Sequence, residues 1–100
     1  MVQEVIWSPE AVDTYVAILE YLEKEWSEKE VKNFIARVNE KLDLLKQQPL
    51  LGRASGKKKG TYRTLINYRI TLFYHYRINK KQLELVTFWN NLQNPKRQNF

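Results

Sequence analysis

The chain reads as an α+β fold: an N-terminal strand, an α-helical hairpin, and an antiparallel sheet of about four strands, in the order β-α-α-β-β-β. Three observations predict it. Two stretches with helical spacing of apolar residues stand back to back, each opened by a serine cap. Three later stretches are dense in β-branched and aromatic residues and are separated by short polar breaks. The 100 residues, 43% of them hydrophobic and 28% charged, suit one globular domain spanning 1–100.

Val2 to Trp7 alternate loosely through Val5, Ile6 and Trp7, and read as a short strand. Ser8-Pro9-Glu10 then opens a helix. Ser8 is a good N-cap, Pro9 suits the first helical position, and Glu10 favours the positive end of the helix dipole. Val12, Tyr15, Val16, Leu19, Leu22 and Trp26 recur in steps of three and four and define one apolar face. Ser27-Glu28-Lys29-Glu30 has the form of a capping box and starts a second helix. Its apolar face is Val31, Phe34, Ile35, Val38, Leu42 and Leu45, and Pro49 disfavours helix just before it. Each helix runs roughly 18–20 residues, or about 28 Å. So tight a joint predicts an antiparallel hairpin. The acids lie on its wet faces, and none are paired in a way that suggests catalysis.

Leu50 to Gly60 is a glycine-rich basic loop, LLGRASGKKKG, with Arg53, Lys57, Lys58 and Lys59. It lacks the spacing of a P-loop, so a nucleotide cradle is not expected. Thr61–Ile66, Tyr68–Ile78 and Leu83–Trp89 follow as strands of an antiparallel meander. The long middle strand carries the most information, because side chains two apart share one side of a sheet. Tyr68, Ile70, Leu72, Tyr74, Tyr76 and Ile78 form an apolar side, expected against the helices. Arg69, Thr71, Phe73, His75 and Arg77 form a basic side with aromatic interleaving, expected to face a ligand. The planar fork of arginine suits phosphate, and an aromatic ring can stack on an unpaired base, as a single-stranded RNA groove requires. The competing reading is a sheet face that arginine merely keeps soluble. The tail from Asn90 is polar and adds Lys96 and Arg97.

Charge divides the chain. Residues 1–50 carry a net −4 and residues 51–100 a net +10, with Glu84 the single acid of the second half. Such asymmetry points to a polyanion or an acidic partner for the second half. The absence of cysteine excludes a disulfide framework, a thiolate nucleophile and a cysteine metal site. One histidine, His75, excludes a histidine cluster, so neither a metal nor a cofactor is expected. No apolar run approaches the roughly 20 residues of a membrane span, and the N-terminus lacks the layout of a secretory signal. The expectation is a soluble, cytoplasmic protein without membrane contact.

The order strand, two helices, basic loop, three-stranded meander and polar tail resembles the RelE/ParE toxin superfamily, the toxin halves of type II toxin–antitoxin modules. Ile6 to Ala11, IWSPEA, is similar to the strand-to-helix entry of ParE-like members. Pro49, Gly52 and Arg53 resemble a Pro-x-x-Gly-Arg loop, and Arg63 resembles the arginine that opens the second strand. FWNNLQNPKR resembles an FWDNRQNP ending, with Leu92 in place of its arginine and Asn90 in place of its acid. The likeness covers essentially the whole chain and is closer to ParE-like members.

The resemblance implies a growth-inhibiting toxin of the plasmid-stabilisation type, held by a cognate acidic antitoxin. It allows a homodimer or a heterotetramer with that antitoxin. ParE-like members bind DNA gyrase, whereas RelE-like members are ribosome-dependent endonucleases acting on ribosome-bound mRNA. A third outcome is a degenerate, toxin-like binding module. Whether the chain is an enzyme stays open at this point. The catalytic set implied for cleavage is Arg63, Arg69 and His75. The residues expected to bind a target or phosphate are Lys57, Lys58, Lys59, Arg63, Arg69, Phe73, Arg77, Lys96 and Arg97.

Overall fold

The computed structural model describes residues 2–55 and 59–91. Strand β1 (Glu4–Trp7) leads into helices α1 (Pro9–Glu25) and α2 (Glu28–Gln47). Then come β2 (Arg53–Ala54), β3 (Thr61–Leu65), β4 (Ile70–Arg77), a 3-10 turn at Ile78–Lys80, and β5 (Gln82–Asn90). The sheet order is β1-β5-β4-β3-β2. The three long strands form the antiparallel meander that the sequence predicts. Two features differ from expectation. The sheet has five strands, because the basic loop contributes β2, and two residues are too few to show a period. It is also mixed, because β1 runs parallel to β5.

Both serines cap as expected. Ser8 Oγ accepts from the Ala11 amide at 3.0 Å and Ser27 Oγ from the Glu30 amide at 3.3 Å. Phe34, Val38, Leu42 and Leu45 of α2 are buried, with Val31 and Ile35 half-buried, as the period requires. Helix α1 is rotated from its expected face. Ala11 is buried while Tyr15, Ile18, Leu19 and Leu22 pack on the core. Val12, Val16 and Trp26 are exposed. The reason is that α1 lies across β5 and is gripped from the other side of its period by polar bonds.

Those bonds answer a specific need. Strand β1 covers β5 only as far as Leu85, and a register shift opposite Phe73/Tyr74 puts Val86 out of the ladder. The backbone groups left at this edge go to α1. The Ser8 amide donates to Leu85 O at 3.1 Å, and Ser8 Oγ donates to Val86 O at 2.8 Å. The Phe88 amide donates to Thr14 Oγ1 at 3.0 Å, while Thr14 Oγ1 donates to Glu10 O at 2.8 Å. The Val86 carbonyl and the Phe88 amide would otherwise be partly buried orphans. The bulge also switches the parity of β5, so Leu83, Leu85 and then Phe88 all reach the core.

The core lies between the helical hairpin and one face of the sheet. Trp7, Tyr15, Phe34 and Phe88 form its aromatic end, with ring centroids 5.0–5.8 Å apart, within the usual range for favourable ring pairs. Ile70, Leu72, Tyr74 and Tyr76 face the helices, as their alternation requires. Tyr68 and Ile78, expected on the same strand, lie in turns at its two ends and are exposed. Asn67 makes the first turn: its Oδ1 accepts from the amides of Arg69 and Ile70.

Candidate functional site

The face of the sheet away from the helices is set by the strand register, since directly paired residues project to the same side. Glu4, Gln82 and Arg77 form one row, and Ile6, Glu84, His75 and Thr61 the next. Thr87, Phe73, Arg63 and Arg53 follow, then Trp89, Thr71 and Leu65. Three of the expected cationic positions therefore share a face: Arg63, His75 and Arg77.

Their environments differ. Arg77 donates to Glu84 Oε1 at 2.9 Å, so its charge is answered within the sheet. His75 Nδ1 lies 2.9 Å from Thr61 Oγ1 and 3.4 Å from Gly60 O, which orients the ring along the sheet. Phe73, paired with Arg63 and Thr87, is buried rather than offered to a ligand. It supplies a floor and no stacking surface. Arg69 lies outside β4, in the turn, and turns to the helix side. Its Nε donates to the Tyr68 hydroxyl at 3.0 Å, and its guanidinium lies 5.3 Å from the Tyr68 ring centroid and 6.0 Å from that of Trp26. The alternation that groups Arg69 with Phe73 assumes a strand two residues longer at this end than the one that forms. Lys59 is exposed in the turn before β3. Lys57, Lys58, Lys96 and Arg97 lie outside the described residues.

Sequence reasoning missed Arg53 as a partner for Arg63. The two arginines are directly opposed on β2 and β3. Among the described residues neither has an acidic partner. Directly opposed like charges cost roughly 0.2–1 kcal/mol. The chain nevertheless holds Arg53 in place with a latch. The Tyr74 hydroxyl donates to Pro49 O at 2.8 Å and accepts from the Gly52 amide at 3.0 Å. A Cβ at position 52 would lie 2.5 Å from that hydroxyl and 2.6 Å from Arg63 O, so only glycine lets the loop come this close. Burial, partly offset by the Gly52 amide and reinforced by Tyr62, raises the Tyr74 pKa above its ordinary 10.0. The phenol thus stays protonated and able to donate. The sequence signal for this site was the Pro49-x-x-Gly52-Arg53 spacing, but its purpose depends on Tyr74, 22 positions after Gly52.

Two clefts flank these groups. One, of about 640 Å³, opens beside Arg53 and Arg63, with Lys41, Leu51, Leu65 and Phe73 in its lining. The other, of about 520 Å³, lies on the helix side, over Ile18, Leu22, Phe34 and Phe88, and holds Arg69 among Tyr21, Trp26 and Tyr68. Among the described residues no group of acidic or histidine side chains could hold a metal ion. No helix is long and apolar enough to cross a membrane.

The sequence matches the family model described as ParE toxin of type II toxin-antitoxin system, parDE, over residues 5–95. No curated protein matches it. The fold is similar to that of a chain from the chromosomal ParDE TA system of P. aeruginosa, with TM-score 0.72 and 16% identity over 90% of this chain and 96% of that one. It is also similar to a YoeB/ParE toxin from Agrobacterium tumefaciens, with TM-score 0.67 and 15% identity over 89% of this chain and 99% of that one. A YoeB dimer from Staphylococcus aureus gives TM-score 0.61 and 18% identity over 87% and 94%. Identities of this size carry the fold alone.

Proposed function

The chain belongs to the ParE toxin family of type II toxin–antitoxin systems, and from that premise we propose that it arrests growth by binding an essential target such as DNA gyrase, without cutting RNA. One observation carries the choice. Cleavage by 2′-hydroxyl attack needs a base, a phosphate clamp and an acid within hydrogen-bond reach of one phosphate. The three candidate groups do not converge: Arg69 is on the helix side, His75 is held by Thr61, and Arg63 stands in the next row beside Arg53. Among the described residues these groups suit recognition better than proton transfer at one phosphate.

The proposed partner is an acidic antitoxin. Similar folds occur in a YoeB-YefM complex and a heterotetrameric YoeB-YefM toxin-antitoxin complex, both from Staphylococcus aureus. A half-chain net charge of +10 supplies the physical reason for an acidic binder. Action in the cytoplasm follows from either target. Purified protein added to gyrase is expected to inhibit supercoiling, and no inhibition at large molar excess would remove gyrase as the target. The second reading, a ribosome-dependent mRNA endonuclease, is favoured by His75 and Arg63 sharing a face. It requires new 5′ ends in translated messages. Harmless overexpression without antitoxin would support a degenerate binding module over both.

A further inference from the structure

The helix-side cleft of about 520 Å³ is not used by the proposed growth arrest, yet it has the build of a small-molecule site. Its floor is apolar: Ile18, Leu22, Phe34 and Phe88. Its rim carries three rings that the fold leaves in water, for Tyr21, Trp26 and Tyr68 are 50%, 59% and 79% exposed. Among the described residues its lining holds two charged side chains, Glu30 and Arg69. They form no ion pair with each other or with any other described residue. The turn that presents Arg69 is fixed. Its amide donates to Asn67 Oδ1 at 2.8 Å, and its carbonyl accepts from the Asn91 amide at 2.7 Å. Asn91 Nδ2 also donates to Tyr68 O at 3.2 Å. Tyr68 takes the Nε–H of Arg69, and most of the five guanidinium donors remain.

Two opposite charges, separate and unpaired above an apolar floor, select their ligand by charge. An anion alone would answer Arg69 but face the Glu30 carboxylate. A cation alone would answer Glu30 and gain from the rings, but face Arg69. A zwitterion answers both, and charge-assisted hydrogen bonds of this kind are the strong ones. We propose that the cleft binds a free α-amino acid with a large apolar side chain. Its carboxylate lies on the Arg69 guanidinium, its ammonium beside Glu30, and its side chain over Phe34 and Phe88. The site is on the opposite side of the sheet from Arg63 and His75. It goes beyond the growth-arrest reading, which can fail without touching it.

The test is an NMR titration of the full chain with L-phenylalanine, with phenylpropionate, phenethylamine and L-serine as the other arms. The amide signals of Glu30 and Arg69 and the indole N–H signal of Trp26 should shift together, with a dissociation constant of about 1 mM or below. Phenylpropionate lacks the ammonium, phenethylamine the carboxylate and serine the apolar group. Each should bind at least about tenfold more weakly than L-phenylalanine. Arg69→Gln should weaken L-phenylalanine by a similar factor and leave phenethylamine unchanged or tighter. Glu30→Gln should weaken it too and leave phenylpropionate unchanged or tighter. The ligand arms need the wild-type chain alone, so they decide the matter whether or not a variant folds well. No shift at large excess of L-phenylalanine, or equal binding of the analogues with one charge, would overturn the site. The same shifts on concentrating the protein without ligand would also overturn it, with a second copy as the occupant.

Discussion

Tyr74 shows how much one side chain can settle. Its ring is buried in the core, stacked 5.7 Å from Tyr62, and its hydroxyl closes both ends of the Pro49–Gly52 loop. Tyr74→Phe keeps the ring but leaves a carbonyl and an amide without their partner, so it should cost about 1–3 kcal/mol in urea unfolding. Burial also raises the Tyr15 pKa. For both tyrosines the folded-state value lies above the unfolded 10.0, so their contribution is complete below about pH 10 and is lost as pH rises through the folded value. Alkaline titration of stability should therefore fall less steeply in Tyr74→Phe than in wild type. Gly52→Ala should be worse than Tyr74→Phe at any pH, because its Cβ meets the Arg63 backbone oxygen as well as the hydroxyl. None of this was legible from Tyr74 itself. Alternation placed it correctly toward the helices, but a partner 22 residues upstream in a loop leaves no periodic trace.

The elements were legible where a period or a cap determined them and illegible where a tertiary contact did. Helix α2 follows its apolar spacing to the residue. Helix α1 does not, because Ser8 and Thr14 must meet the bare edge of β5, and that requirement turns Val12 and Val16 toward solvent. Thr14→Val removes the acceptor for the Phe88 amide while keeping the volume. It should lower stability by about 1–3 kcal/mol, with faster amide exchange at Phe88 as the local readout. Phe88→Ala, at the centre of the aromatic cluster, should cost about 3–5 kcal/mol in the same unfolding measurement. The turn before β5 holds Lys81 at φ 50°, a left-handed conformation for a residue with a Cβ. Its carbonyl accepts from the amides of Gln3 and Glu4 and so docks β1 on β5. Lys81→Gly should keep those bonds and raise the melting temperature, by relief of up to about 1 kcal/mol.

At the scale of the molecule the charge division becomes a division of faces. Nine of the ten acids of the first half lie on the helices, all but Glu4 of β1, and Arg53 and Arg63 stand on the side of the sheet away from the helices. The sequence showed that asymmetry and the basic side of β4, but it could not show that Arg69 leaves that side for the rings of Tyr68 and Trp26. Binding of an acidic partner should weaken as salt rises, and charge reversal at Arg63 should weaken it further, by calorimetry across a salt series. Whether the toxin binds or cuts is tested most directly by mapping RNA 5′ ends in cells whose growth has been arrested by the wild-type chain and by His75→Ala. Binding without cleavage gives arrest with both proteins and intact messages in both cultures. New 5′ ends within translated messages, present with wild type and gone with His75→Ala, would contradict it.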